Sequence, residues 1–413
     1  MKKPILVLTG LIALAFALNA QTTIGLVAHY RFDGTFTDAT GNTANGGAIS
    51  GSPYFTCGVE NDAVSFNGQT DEVVILGGPV NDEFDSEDVT VAFYFKPRGG
   101  AGTQFLLSKR SPNCIGNSEF YITYTPNSRS ISAFFFETSD KRTIATHQID
   151  NTACWQHLAI VREGGRVRLY LNGALINVFS TLERVNVANN GDLIFGNSDC
   201  RNPTEFPFNG LMDELRVYNR ALDEREVREL YTAPDQIVRD ANIINIFLGE
   251  SFDASLTTTC GTAFTWSPLD GVDQPNAPAT AITPQQAGEI AYQVAIADTS
   301  VATCTAIDEI TFNVIDPDDL DCGTIFLPSA FTPNGDGLND TYGLSNPFAI
   351  QQMERFEIFD RWGNLVFATS DPFERWDGFY KGQTVNAGVL RYAIQWSCNG
   401  EPQFQSGEIA VLR

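Results

Sequence analysis

Residues Val167-Arg-Leu-Tyr-Leu-Asn-Gly173 decide the fold class. The run carries β-branched, aliphatic and aromatic side chains with an interposed arginine, the texture of a strand with one covered face. It ends on Asn172-Gly173, and both central residues of a type I′ turn need positive φ, so a hairpin follows. Runs of the same kind lie on both sides: Val73–Leu76, Thr90–Phe95, Phe120–Tyr124, Ile131–Phe136 and His157–Val161. Gly, Asn, Pro and Asp punctuate them. Short strands at this spacing predict an all-β jelly roll or sandwich. One helix interrupts the pattern. Asp223 precedes Glu224–Tyr231 and Glu226 follows three residues later, a capping box in which each side chain satisfies an orphan amide.

Charge and cysteine content narrow the function classes. The 413 residues hold 50 acidic against 26 basic side chains, a net charge of -24. That excludes a nucleic-acid partner, because phosphate contacts need clustered Lys and Arg. Lys2 and Lys3 precede an apolar run ending at Leu18, and Ala20 supplies a small residue before a cut, so residues 1–20 read as a secretory signal peptide. A membrane span needs about 20 apolar residues, and the chain offers none, so no membrane insertion is predicted. All eight cysteines follow the signal and suit an oxidising compartment. Composition divides the mature chain into blocks 21–235, 236–317 and 322–413, with an acidic hinge at Asp316–Asp321 before the last.

Several motifs carry resemblances. Val27-Ala-His-Tyr-Arg-Phe-Asp-Gly34, Ala63-Val-Ser-Phe-Asn-Gly68, Trp155-Gln-His-Leu158, Leu169-Tyr-Leu-Asn-Gly173 and Gly210-Leu-Met-Asp-Glu-Leu-Arg-Val-Tyr-Asn-Arg-Ala-Leu222 stand in order. Together they resemble the concanavalin A-like lectin/glucanase superfamily, in its laminin G-like, pentraxin-related branch. Trp266 between Cys260 and Cys304 makes the middle block resemble an Ig-like or PKD-like spacer, a second sandwich. Phe331-Thr-Pro-Asn-Gly-Asp-Gly-Leu-Asn-Asp340, Ile358-Phe-Asp-Arg-Trp-Gly-Asn-Leu-Val-Phe367 and Trp376-Asp-Gly378 resemble the type B, gliding-motility-associated C-terminal sorting domain of the type IX secretion system. The resemblances imply a secreted or cell-surface protein whose tail engages the type IX machinery and whose lectin-like head binds a glycan or a protein.

Catalysis finds little support. Hydrolases on the lectin/glucanase fold present Glu-x-Asp-x-x-Glu on one strand, and the first block has none. The histidines His29, His147 and His157 have no nucleophile elbow beside them, and His29 and His157 lie in strand patterns that suit packing. A polysaccharide hydrolase with a non-standard site is the alternative reading, and a structural or motility-associated surface protein is another. The superfamily resemblance implies one structural Ca²⁺, with Asp33, Asn42 and Asp213 at the matching positions; the competing reading is that Asp33 and Asp213 cap turns. Asn334–Asp340 reads as a structural turn before a metal loop. Tyr121, Tyr124, Phe134 and Phe136 are candidates for a sugar face against the alternative of core packing, and Asp71 for its rim. Cys260–Cys304 would pin the middle sandwich, and Cys322–Cys398 would tie the last block to its terminal hairpin. The remaining cysteines allow three pairings, of which Cys114–Cys200 with Cys57–Cys154 is preferred because Cys114 and Cys200 both sit in long loops.

Overall fold

The structure is a computed structural model. It describes residues 22–412 except 77, 86–87, 115–117, 150–153, 299–304, 320, 335–338 and 351. The signal peptide, Cys304 and most of the Asn334–Asp340 loop lie outside the described residues.

The first block opens with β1 (Leu26–Tyr30), β2 (Gly47–Ser50), β3 (Tyr54–Cys57), β4 (Asp62–Asn67) and β5 (Glu72–Ile75), then α1 (Pro79–Asp82). Next come β6 (Val89–Pro97), β7 (Thr103–Lys109), β8 (Glu119–Thr125), β9 (Ser130–Phe136) and β10 (Arg142–Gln148). β11 (Gln156–Glu163), β12 (Arg166–Leu171), β13 (Ala174–Ser180), β14 (Leu193–Phe195), β15 (Glu205–Pro207) and β16 (Asn209–Tyr218) lead into α2 (Glu224–Leu230). Two sheets result. The first runs β13-β12-β11-β6-β16-β4-β3 with β1 also on β16; the second runs β10-β9-β8-β7-β14-β5-β2 with β15 on β7. Their inner faces enclose a core that includes Tyr30, Phe66, Phe93, Phe120, Phe135 and Phe195. This is the all-β, jelly-roll-like architecture that the strand spacing predicts. Asn172 and Gly173 take φ of 50° and 76° at the β12–β13 turn, the left-handed pair that a type I′ hairpin requires.

The outer face of the first sheet is closed at its centre. α2 forms with its capping box intact, Asp223 accepting from the Glu226 amide and Glu226 reaching back to the Asp223 amide. Val227 and Leu230 lie against Ala92, Ala159, Val161 and Tyr218. Tyr231 covers Tyr94, Trp155 and Leu211. β6 is therefore buried from Val89 to Lys96, which explains why its sequence is a nearly unbroken apolar run rather than an alternation.

The middle block holds β17 (Ile243–Phe247), β18 (Phe252–Ser255), β19 (Ala263–Ser267), β20 (Ala279–Ile282), β21 (Gly288–Ala297) and β22 (Thr305–Ile315). Sheets β17-β22-β21-β19 and β18-β20 share a core around Trp266, Tyr292 and Phe312. The last block holds β23 (Ala330–Phe331), β24 (Gln352–Phe359), β25 (Leu365–Thr369), β26 (Phe379–Tyr380), β27 (Gln383–Thr384), β28 (Gly388–Cys398) and β29 (Glu401–Val411). Its main sheet runs β23-β29-β28-β24-β25, over a core of Phe331, Tyr342, Phe356, Trp376, Ile394 and Trp396.

The disulfides correct part of the sequence reading. Cys114 pairs with Cys200 and Cys322 with Cys398. Cys57, however, pairs with Cys260 and not with Cys154. Cys260 is thereby taken from Cys304, so the middle block is not pinned by a Cys260–Cys304 bridge. Cys154 is itself disulfide-bonded and packs into the middle block's core rather than the head's. The physical reason is that the head and the middle block share a boundary. Lys96, on β6, lies 3.1 Å from Asp298 of the middle block, both side chains almost wholly buried. Its ammonium also sits 5.9 Å from the Trp155 ring centroid. Cysteines on both sides of that boundary face each other, and pairing across it wins over pairing within a block.

Non-reducing peptide mapping should recover a peptide linking Cys57 to Cys260; one linking Cys57 to Cys154 would overturn the assignment. The bridge closes a loop of sequence separation 203. In the chain-entropy model such a loop stabilises by about 5 kcal/mol, and the Cys57→Ser/Cys260→Ser double variant should lose 2–5 kcal/mol in a denaturant melt.

Candidate ligand-binding face

With the centre of the first sheet covered, the outer face of the second sheet at β8, β9 and β10 carries half-buried and exposed side chains. Alternation decides which side chains reach it. Phe120, Ile122 and Tyr124 on β8 and Ile131, Ala133 and Phe135 on β9 are in the core, so Glu119, Tyr121, Thr123, Ser132, Phe134 and Phe136 point outward. Register then sets their neighbours. Tyr121 stands opposite Phe134, and Phe134 opposite Ile144 of β10. The Tyr121 and Phe134 rings stack at 4.5 Å between centroids and 18° between planes. Ile144 is 39% exposed, and both rings are half-buried. The result is an apolar stripe crossing three strands.

Polar rows flank the stripe. On one side Thr123 stands opposite Ser132 and Ser132 opposite Thr146, with the Ser132 and Thr146 hydroxyls 3.0 Å apart. On the other side Glu119 stands opposite Phe136 and Phe136 opposite Arg142. Arg110, just beyond β7, places its guanidinium 5.0 Å from the Tyr121 ring centroid. The same group binds Glu119 at 3.1 Å and donates to the Cys200 carbonyl. Burial raises the Tyr121 hydroxyl above its ordinary range, with Arg110 opposing, so it stays a neutral donor at physiological pH.

The wall beside Arg110 is built from two loops. Cys114–Cys200 joins them. The Ser108 hydroxyl donates to Ser198 at 3.0 Å, and the Cys200 amide to the same hydroxyl at 3.2 Å. The Lys109 ammonium donates to the Asn189 and Gly191 carbonyls at 2.8 and 2.7 Å. Arg110 is thus held from behind and presents a fixed cation beside a fixed ring.

The structure separates the sugar-face candidates. Tyr121, Phe134 and Phe136 reach the outer face, whereas Tyr124 belongs to the core. Asp71 is buried and not on the rim. Its carboxylate accepts from the Ser52 and Asn67 amides and from the Asn67 side chain, locking the loop after β4.

The calcium candidates are placed as follows. Asp213 accepts from the Val59, Glu60 and Glu214 amides at 2.7, 3.3 and 2.8 Å. Asp33 accepts from the Asp62 amide and the Asn61 side chain at 3.2 and 3.3 Å. The two carboxylates therefore grip the same turn between β3 and β4 from opposite ends. Asn42 instead caps the short helical turn at Thr43–Asn45, accepting from the Ala44 amide. Burial, and then Glu214, push the Asp213 carboxyl up to about 9. The three amides it accepts match the turn-capping reading of Asp213. No cluster of three or more His, Cys, Asp or Glu side chains able to hold a metal ion occurs among the described residues.

Sequence reasoning missed a buried charge cluster beside Asp213. β16 bulges between Asp213 and Arg216, and Glu214 takes φ of 52°. Its Oε2 meets His29 Nε2 at 2.6 Å and Arg216 Nη2 at 2.5 Å, with Glu214 and Arg216 nearly wholly buried. The signal was present as Glu214-Leu-Arg216, two opposite charges two residues apart in a strand of mostly apolar residues. His157 is also fully buried, its ring 4.7 Å from Tyr94 and 5.9 Å from Tyr231.

Comparison with known proteins agrees with the two ends of the chain. Residues 78–228 match the family model of the concanavalin A-like lectin/glucanases superfamily, and residues 325–411 match that of the CHU_C type IX secretion signal domain. The chain is thus a lectin-like jelly roll joined to a type IX secretion signal. That signal marks it for export to the cell surface or beyond. No curated protein matches the chain. Among solved structures, domain 4 of AbnA, a GH43 extracellular arabinanase from Geobacillus stearothermophilus in complex with arabinotriose, is similar at 25% identity and a TM-score of 0.40, covering 50% of this chain and 98% of that one. The CBM40 of the Ruminococcus gnavus IT-sialidase bound to α2,3 sialyllactose is similar at 16% identity and a TM-score of 0.34, covering 41% and 96%. The binding domain of botulinum neurotoxin DC in complex with rat synaptotagmin II is similar at 10% identity and a TM-score of 0.42, covering 92% and 73%. No helix among the described residues is long and apolar enough to cross a membrane.

Two measurements check the buried groups. Burial, then Arg216, lower the His157 imidazole from 6.5 to about 3. The unfolded chain takes up this proton below pH 6.5 and the folded chain does not, so the stabilisation is full above pH 6.5 and is lost as pH falls towards 3. The loss is on the order of 5 kcal/mol, and His157→Phe should flatten that acid limb in melts across the range. For Asp213, EGTA should leave the melting temperature unchanged; a drop of several degrees would assign an ion to the turn.

Proposed function

We propose that the chain is an exported, non-catalytic binding protein whose jelly roll holds a glycan against the outer face of the second sheet. The observation that carries this reading is the Tyr121–Phe134–Ile144 stripe between a hydroxyl row and the Arg110 cation. A sugar ring has an apolar C–H face and a polar edge. Aromatic planes receive the first, and hydroxyls, amides and guanidinium groups receive the second. Both partners of the stack are set by cross-strand register, so the platform exists before the ligand arrives and little ordering entropy is lost on binding. The middle block serves as a spacer, and the C-terminal block delivers the protein.

Glu119, the acid nearest the stripe, is engaged by Arg110, which suits orientation of a ligand more than proton transfer to it. Isothermal titration of the purified chain with oligosaccharides selected on a glycan array tests the proposal. Tyr121→Ala and Phe134→Ala should each weaken binding 10- to 100-fold, about 1.4–2.8 kcal/mol, with no change in fold. Binding untouched by both substitutions would move the ligand elsewhere on the head, and steady release of reducing ends would replace binding with hydrolysis.

A further inference from the structure

The C-terminal block displays a tryptophan in water. Trp362 is 82% exposed at the β24–β25 turn. The turn itself is rigid. Asp360 accepts from the Trp362 amide, the Asn364 amide and the Asn364 side chain, each at 2.8 Å. The Asp360 amide donates to the Asn364 carbonyl, and the Gly363 amide to the Asp360 carbonyl. Gly363 takes φ of 83°, a conformation glycine adopts without steric cost. These bonds hold the Asp360 carboxyl below its usual range, Asn364 contributing most. Asp360 is therefore committed to the turn.

Beside Trp362 lies a cavity of about 220 Å³ with a mixed lining, Val366, Val385 and Leu390 on the apolar side and Asp360, Gln383 and Asn386 on the polar side. The β26–β27 hairpin forms its far rim, with Lys381 5.0 Å from the Tyr380 ring centroid. Arg361 and Lys381 are both exposed. In a chain of net charge -24, this corner combines two exposed cations with an exposed indole and a small recess. Trp, Tyr and Arg dominate the energetics of protein–protein contacts, above all where they frame a pocket. A turn already fixed by its own hydrogen bonds loses little entropy on docking.

We propose that this corner is the surface by which the C-terminal domain docks on the export machinery. Trp362 inserts into the partner, the partner fills the recess with an apolar side chain, and carboxylates of the partner meet Arg361 and Lys381. The proposal rests on the match of residues 325–411 to the type IX secretion signal family, and names which part of that domain is read.

The full chain is expressed in a cell with a working type IX apparatus, and the exported fraction is measured for Trp362→Ala, Trp362→Phe and the double variant Arg361→Glu/Lys381→Glu. Export should fall at least tenfold for Trp362→Ala and for the charge reversal, with the chain held in the periplasm at an unchanged melting temperature, and should largely survive Trp362→Phe. Export at the parental level in both Trp362→Ala and the charge reversal overturns the proposal. A chain lacking residues 322–413 separates the two claims. If it is still exported, the secretion reading itself fails; if it is retained while both surface variants are exported, only the docking surface fails.

Discussion

The structure turns on the closing of one sheet face. β6 carries Lys96 out of the jelly roll, and Asp298 meets it from the middle block at 3.1 Å. Two charges buried together are costly unless their geometry is held, and removing one partner leaves the other stranded. The Cys57–Cys260 bridge holds that geometry. α2 and Tyr231 complete the cover over Ala92 and Tyr94. With the centre of the first sheet covered from both directions, the outer face of β8–β10 in the second is the surface proposed to meet a ligand.

Two kinds of charge burial stand side by side. His29, Glu214 and Arg216 form a knot where β1 joins β16, both partners meeting Oε2 of Glu214 while its Oε1 is buried without a hydrogen bond among the described residues, and Asp33 with Asp213 anchors the neighbouring turn through backbone amides. Such groups fix the register of β1 and the path between β3 and β4, because a shift of one residue would leave a charge without its partner. On the exposed face the same residue types behave differently. Arg110 and Glu119 are mostly covered, with side-chain exposures of 18% and 11%, and the Cys114–Cys200 loops behind them fix the edge they show to a ligand.

Much of this was legible in the sequence, and the remainder fails for identifiable reasons. The hairpin at Asn172-Gly173, the capping box at Asp223 and Glu226, and the alternation in β9 are local signals, and local physics carries them through. Tyr121 and Tyr124 look alike in sequence, yet an odd separation sends them to opposite faces, and only the core shows which face is which. Cys57 and Cys260 could not be paired from the chain, because connectivity depends on a contact between blocks. Asp213 and Glu214 sit in a bulge that breaks strand alternation, and nothing in Leu-Met-Asp-Glu-Leu announces it. Trp362 read as part of a family motif; its exposure is a property of the folded turn.

The bridge between Cys57 and Cys260 also has a mechanical meaning. A ligand held on the outer sheet and a C-terminal block held elsewhere would pull the chain from opposite ends. Without the bridge, more of that tension would fall on the stretch of chain after α2. With it, force also leaves the jelly roll through β3, beside the backbone route through residues 232–236. The mounting is stiffened at β3, so a tug on the ligand is resisted in shear across the buried Lys96–Asp298 boundary rather than by unzipping the head one strand at a time.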